Sequence, residues 1–125
     1  MERTTLSQSE WRVMEVLWDR PATLMELVRA LGQSAGWAKS TVTTMVRRMD
    51  EKGLLAYDQV GRAKVFRAAV PREDVVAAET ESLLDRAYHG SVGLLVNALA
   101  ERESLSKADI EDLYAVLRKA EEDVL

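Results

Sequence analysis

The sequence predicts a mainly α-helical protein with one small β-hairpin, arranged as two domains. Apolar residues recur at helical spacing along the 125-residue chain and alternate only around residues 54–68. Residues 1–70 carry 11 Lys/Arg and 8 Asp/Glu, whereas residues 71–125 carry 6 and 13, within a net charge of −4. We therefore expect a basic domain over residues 1–70 and an acidic helical domain over residues 71–125.

The composition excludes several classes of protein. The chain has no cysteine, so disulfides and thiolate metal sites are ruled out, and one histidine, His89, cannot build a Ser-His-Asp triad or an ordinary zinc site within one chain. No apolar run approaches the roughly 18 residues of a membrane span, and the N-terminus lacks a signal peptide's apolar core. We expect a cytoplasmic protein that has no cofactor, no enzymatic activity and no membrane insertion.

Two capping boxes start the first two helices. Ser7 with Glu10 precedes the first apolar stripe, and Thr23 with Glu26 precedes the second. We expect the second helix to end at Gly32, because glycine is common just beyond a helix.

The third helix, within residues 37–53, has an unusual solvent face. Val42, Met45, Val46 and Met49 form its buried stripe, and the other face has no carboxylate before Asp50. That face carries Lys39, Ser40, Thr41, Thr43, Thr44, Arg47 and Arg48. Hydroxyls and guanidinium groups contact phosphates and base edges in the DNA major groove, although an ordinary solvated helix face also fits this pattern.

A β-hairpin follows the third helix directly. Residues 54–58 and 64–68 have strand-like patterns, and Gly61 is the turn residue between them. The turn and the second strand carry Arg62, Lys64 and Arg67, which can bind the DNA backbone beside the groove. Three helices followed by such a hairpin constitute a winged helix-turn-helix domain, so the combination favours DNA binding over a solvated face.

Three more helices are expected after Pro71, the fifth beginning at Ser91 and the sixth at Ser106. A domain of 55 residues without disulfides or metal cannot easily bury the apolar side chains of three helices by itself. We therefore expect a homodimer formed by these helices; the alternative is a monomer in which they pack against the winged domain. The predicted dimer contacts are Leu83, Leu84, Tyr88, Leu94, Leu95, Leu99, Leu113 and Leu117.

Four motifs lie at informative spacings: Leu6-Ser-x-x-Glu-Trp-x-Val-Met-x-x-Leu-Trp18, Trp37-x-x-x-Thr-Val-x-Thr-x-x-x-Arg-Met-x-x-Lys-Gly53, Ala87-Tyr-x-Gly90 and Leu105-Ser106. Together they resemble the penicillinase repressor family, the BlaI/MecI/CopY group. The resemblance implies a dimeric winged-helix repressor that binds palindromic operators, commonly with TACA/TGTA cores, upstream of resistance and sensor genes. It also places the seven polar residues of the third helix on the recognition helix, with Arg62 and Lys64 on the wing.

The sequence departs from the family pattern at two positions of this helix. Ser40 stands where the best-known members have lysine, and Thr43 where they have glutamine. Because glutamine can make a bidentate contact to adenine and threonine cannot, we expect a different operator sequence.

The family resemblance also suggests ways of releasing the repressor. In the β-lactam branch a membrane sensor drives proteolysis of the dimer domain, and the cleaved Asn-Phe bond would align near Ala98-Leu99, with Asn97 one place away. The copper branch senses through C-terminal cysteine pairs, which this chain lacks. Two other functions fit the sequence: a small-molecule-responsive regulator with a ligand pocket in the dimer domain, and a protein-interaction module whose winged domain no longer binds DNA.

Overall fold

Helices and short strands alternate in the first half of the computed structural model, and helices alone follow; the structure describes residues 5–102 and 105–124. The elements are α1 (Gln8–Asp19), β1 (Ala22–Thr23), α2 (Leu24–Ala35), α3 (Lys39–Glu51), β2 (Leu55–Val60), β3 (Ala63–Ala68), α4 (Arg72–Tyr88), α5 (Val92–Glu101) and α6 (Lys107–Val124). The predicted fold class, mainly α with a β-hairpin, is confirmed.

The chain divides into two units, residues 1–80 and 81–125, and the division falls inside α4. The sequence predicts a functional boundary after residue 70, before α4 begins. The first turns of α4 belong to the first unit because Val75 and Ala78 are buried, and Val75 is part of its apolar core.

The first three helices enclose a single apolar core. Its largest fully buried side chains are Met14, Leu27, Leu31, Met49, Val13, Val42 and Val75. Each buried side chain of this kind contributes about 1.5–3 kcal/mol relative to an exposed one. The apolar stripe predicted for α3 is confirmed, because Val42, Val46 and Met49 are buried and Met45 is half-buried.

Both predicted capping boxes are present. The Ser7 hydroxyl accepts a hydrogen bond from the Glu10 amide at 3.2 Å, and the Glu10 carboxylate accepts one from the Ser7 amide at 2.8 Å. Thr23 and Glu26 make the same reciprocal pair at 3.2 and 3.0 Å. These bonds satisfy amides that the first turn of a helix leaves unpaired.

The predicted end of α2 at Gly32 is wrong. The helix continues to Ala35 and ends at Gly36, whose φ of 68° is left-handed and whose amide donates to the Gly32 carbonyl at 3.1 Å. A glycine inside a helix costs only about 1 kcal/mol relative to alanine, so Gly32 does not stop the helix. Gly36 does, because glycine adopts a left-handed conformation without strain.

The three strands form an antiparallel sheet in the order β1-β3-β2. Val60 pairs with Ala63, so the turn contains only Gly61 and Arg62, and both hairpin strands extend beyond the predicted residues 54–58 and 64–68. Gly61 has a φ of 62°, as the first central residue of a type II′ turn requires. Sequence analysis did not predict β1, whose two residues pair with β3 at Phe66 and Val65.

The second unit contains the end of α4 together with α5 and α6. Ser91 caps α5 by accepting the Leu94 amide at 3.2 Å, and Ser106 and Asp109 make a reciprocal pair at 3.0 Å at the start of α6. Neither α5 nor α6 contains a buried residue among those described.

Within residues 5–102 and 105–124, every helix is too short or too polar to cross a membrane.

Candidate nucleic-acid interface

The solvent face of α3 is polar along its whole length. Lys39, Ser40, Thr41, Thr43, Arg47 and Arg48 are exposed, and Thr44 is half-buried. Ser40, Thr44, Arg47 and Arg48 recur at i, i+4, i+7 and i+8, so they share the centre of the face opposite the buried stripe. The structure therefore exposes six of the seven residues predicted on α3, and it groups four of the seven at the centre of the polar face.

The cations of this face are available to an external anion. Among the described residues, no carboxylate lies within 4 Å of Lys39, Arg47 or Arg48, in contrast to the paired cations Lys52, Arg67 and Arg72. Free guanidinium groups can bind a phosphate or a guanine edge through two hydrogen bonds.

The hydroxyl of Thr43 is partly used within the helix. Thr43 Oγ1 donates to the Lys39 carbonyl at 2.8 Å, so the hydroxyl keeps only its acceptor capacity for a partner outside. This bond strengthens the expectation that Thr43 does not replace the base contacts of a glutamine.

The start of α3 has no side-chain cap. The N-cap residue is Ala38, and no side chain accepts a hydrogen bond from the first turn. The unpaired amides and the positive end of the helix dipole therefore face solvent at the same end as Lys39 and Ser40, where a DNA phosphate would be favoured.

The wing presents two of its three cations without an acidic partner among the described residues. Arg62 lies in the two-residue turn and Lys64 on β3, and both are exposed. Lys64 Nζ lies 4.5 Å from the centre of the Tyr57 ring, a cation–π contact between β3 and β2. Arg67 differs, because its Nε lies 3.4 Å from the Asp58 carboxylate on the neighbouring strand.

A buried carboxylate ties the end of α3 to the start of α1. Glu10 is only 5% exposed, and its Oε2 accepts a hydrogen bond from Lys52 Nζ at 2.7 Å. Burial raises the pKa of Glu10, but the hydrogen bonds from Lys52 and Ser7 lower it by more, so the pKa lies below the ordinary value of a glutamate. Sequence analysis gave Glu10 only a capping role and missed Lys52, the residue directly after α3.

A second long-range contact fixes the exit from the wing. Trp18 Nε1 donates to the Val70 carbonyl at 2.9 Å, and the Arg72 guanidinium lies 5.9 Å from the Trp18 ring centre. Trp11 contacts Trp18 edge-to-face at 5.5 Å. The tryptophans of α1 therefore have structural roles, and Trp18 holds the segment between β3 and α4.

The residues predicted for dimerisation lie in the second unit with substantial exposure. Leu83, Leu94, Leu99 and Leu117 are between 40% and 59% exposed, and Leu84, Tyr88, Leu95 and Leu113 are half-buried. The predicted cleavage position, Ala98-Leu99, lies inside α5.

Residues 6–119 match the sequence profile of the family described as Penicillinase repressor. The chain belongs to the penicillinase repressor family. The match spans both units and agrees with the resemblance that the sequence motifs carry. Relatives include the penicillinase repressor of Bacillus licheniformis, 29% identical over 91% of this chain and 90% of its own. Another is the methicillin resistance regulatory protein MecI of Mammaliicoccus sciuri, 24% identical over 91% of this chain and 94% of its own.

Solved structures of the repressor BlaI match somewhat more than half of the chain. The monomeric form of BlaI from Bacillus licheniformis, solved in complex with the blaP half-operator, has a TM-score of 0.52 at 27% identity. The match covers 58% of this chain and 90% of that one. The DNA-binding domain of the repressor BlaI gives a TM-score of 0.51 at 28% identity, over 55% of this chain and 85% of that one.

Proposed function

We propose that this protein is a homodimeric transcriptional repressor that binds a palindromic operator in double-stranded DNA. The observation that carries the proposal is the solvent face of α3, where hydroxyls and unpaired cations lie without a carboxylate before Asp50. Membership of the penicillinase repressor family and the likeness to a BlaI–operator complex support it. The family consists of DNA-binding repressors rather than enzymes, and the proposed function assigns the protein to the cytoplasm, where its operator lies.

In this proposal α3 enters the major groove and the wing contacts the flanking backbone. Arg47 and Arg48 face base edges and phosphates, and the uncapped start of α3 faces a phosphate. Arg62 and Lys64 add phosphate contacts beside the groove. Ser40 and Thr43 make this operator differ from those of relatives with lysine and glutamine at these positions.

The exposed apolar side chains of the second unit support the dimer. Leu94 and Leu117 are 50% and 59% exposed, and α5 and α6 contain no buried residue among those described. Apolar surface of this extent is stabilised by burial against a second copy. A two-fold dimer places two recognition helices on half-sites about one helical turn apart, roughly 34–36 Å.

We also propose that proteolysis of the repressor releases the operator. A membrane sensor protease that acts on the second unit would have to cut near Ala98-Leu99, which lies within α5. Proteases bind extended chain, so cleavage there requires local unfolding of α5. The half-buried and exposed side chains of this helix make such opening less costly than opening a core helix.

The test is to sequence genomic DNA fragments that the purified protein retains, and then to titrate the selected operator at several salt concentrations. Arg47→Ala and Arg62→Ala should each reduce the slope of log K against log salt by about 0.9 for every phosphate that the variant no longer neutralises. Arg67→Ala is the matched control, because Arg67 is already paired with Asp58, and it should change the slope less. Unchanged affinity and slope in both test variants would refute this docking.

A further inference from the structure

A cleft of about 460 Å³ lies between the start of α2, α3 and β3 in the first unit. Leu24, Met25, Val46 and Phe66 line it with apolar side chains, and Arg47 and Lys64 line it with cations. Its volume is within the range of pockets that hold small molecules, roughly 300–1,000 Å³.

Binding of DNA explains the cations of this cleft, and core packing explains Val46 and Phe66, but neither explains the exposed Met25 at its edge. Phosphate oxygens interact favourably with Arg47 and Lys64, whereas the apolar side chains of Leu24 and Phe66 offer them no favourable interaction. Met25 is 54% exposed in the first turn of α2, next to an interface for a polyanion. The exposed Met25 and the half-buried Leu24, beside two cations, are complementary to a molecule that has both an apolar body and a negative charge.

We propose that this cleft binds a small organic monoanion with a flat apolar body, of the aromatic carboxylate class, and that the anion competes with operator DNA. The carboxylate pairs with Arg47 and Lys64, and the apolar body lies against Leu24 and Met25. Asp50 also lines the cleft, and its negative charge disfavours a ligand with a second carboxylate.

The anion and operator DNA compete because both contact Arg47 and Lys64. This part of the proposal rests on the proposed function. Binding of the anion itself does not, because the cleft is formed entirely within the first unit. The site also differs from the ligand pocket that the sequence suggested in the C-terminal helices. It would make the recognition surface itself the place where a small molecule acts.

Naphthoate is a suitable probe, titrated into the isotope-labelled full-length protein while amide chemical shifts are followed. We expect saturable shifts at Leu24, Val46 and Phe66. Naphthamide has the same ring system without the charge, and it should bind at least roughly tenfold more weakly because it loses the ion pairs. Inorganic phosphate at equal ionic strength should give no saturable shifts at these amides.

Two outcomes of this titration would overturn the site. Equal shifts with phosphate would mean that the apolar walls contribute nothing to binding. Equal affinity for naphthoate and naphthamide would mean that Arg47 and Lys64 do not recognise the charge.

Two pairs of matched variants test whether naphthoate binds in the cleft. Lys64→Gln should weaken naphthoate binding roughly tenfold, whereas Arg62→Gln, which removes a charge outside the cleft lining, should not. Met25→Glu should abolish binding, whereas Val60→Glu should leave it intact. Met25 and Val60 are both exposed apolar residues, at 54% and 61%, so neither change is expected to prevent folding. Equal effects within either pair would place the probe elsewhere.

The competition is measured by adding naphthoate to a preformed complex with the selected operator. Release of DNA by naphthoate, but not by naphthamide, is the expected result. Naphthoate binding without release would overturn the competition and leave the proposed repressor function intact. Failure to retain any DNA before the probe is added would instead refute the proposed function, while the chemical-shift titration still decides the site.

Discussion

Glu10 places a carboxylate inside the first unit, where its two oxygens serve different partners. Oε1 accepts the Ser7 amide at 2.8 Å and closes the capping box, while Oε2 accepts Lys52 Nζ at 2.7 Å. The Glu10 side chain therefore helps to cap the start of α1 and also binds Lys52, the residue after α3. Because α3 carries the proposed DNA contacts, the geometry of recognition depends on a carboxylate outside the interface.

The first prediction concerns the pH dependence of this residue. The pKa of Glu10 is depressed below 4.5, so its contribution to stability is present above about pH 4.5 and is lost as the pH falls through the lower pKa of the folded state. Glu10→Gln should lower the free energy of unfolding at pH 7 by about 1 kcal/mol, a modest figure because Lys52 is 60% exposed. The difference in the free energy of unfolding between this variant and the wild type should become smaller towards pH 3. Urea unfolding measures it.

Glu26→Gln is the matched control for Glu10→Gln. Glu26 occupies the equivalent position of the second capping box, and hydrogen bonds from Thr23 lower its pKa too, but it is exposed and has no lysine partner among the described residues. We expect the smaller loss of stability for Glu26→Gln. An equal loss in both variants would mean that the Lys52 contact contributes nothing.

At this scale the sequence predicts roles that are local and misses those that join distant positions. The Ser7–Glu10 pair was predictable because three residues separate its members. The Lys52–Glu10 contact spans 42 positions, and periodicity carries no information on which cation meets which carboxylate. The polar composition of α3 was likewise predictable, but which of its side chains contact DNA stays a prediction.

At the scale of elements, the sequence placed the helices correctly and their ends less well. Helical periodicity predicted α1 to α6, whereas α2 extends past Gly32 because Gly36 adopts the left-handed conformation that ends a helix. The strand β1 contains only two residues, too few for any alternation, and its pairing with β3 depends on the folded hairpin. The cleft lined by Met25 and Lys64 needs three elements together, so no single stretch predicts it.

The second prediction uses the two glycines of α2. Gly32→Ala should raise the free energy of unfolding by roughly 0.5–1 kcal/mol, because the position is helical and a methyl group there would meet only the Trp37 carbonyl at 3.8 Å. Gly36→Ala should lower it by about 1 kcal/mol, because φ is 68°. Thermal unfolding of the two variants measures both changes. Destabilisation by Gly32→Ala would contradict the observed length of the helix.

At the scale of the whole molecule, the two units differ in how they bury apolar surface. The first has a core in which Met14, Leu27 and Val42 are 0% exposed, whereas the described residues after Ala78 include none that is buried. The second unit is also acidic, because residues 81–125 carry 10 Asp/Glu and 5 Lys/Arg. In the proposed dimer, association would stabilise a second unit built in this way, so we expect the folding of α5 and α6 to depend on protein concentration.

The third prediction therefore concerns assembly. Wild-type protein should sediment as a dimer at micromolar concentration, and Leu117→Glu should shift it towards monomer because a charge would be buried in the interface. Val116→Glu is the control on the same helix, since Val116 is 63% exposed and lies off the stripe of Ile110, Leu113, Tyr114 and Leu117. A persistent wild-type monomer would refute the dimer, and equal effects of the two variants would exclude this stripe as its interface.

The tryptophan cluster of α1 has a spectroscopic consequence. All three tryptophans, Trp11, Trp18 and Trp37, lie in the first unit, and Trp18 is held by its hydrogen bond to Val70 and its edge-to-face contact with Trp11. Tryptophan fluorescence consequently reports only the unfolding of the first unit, while far-ultraviolet circular dichroism follows the helices of both. Dilution of the protein should then lower the temperature at which the second unit unfolds, as followed by circular dichroism. The unfolding temperature of the first unit, as followed by fluorescence, should not change.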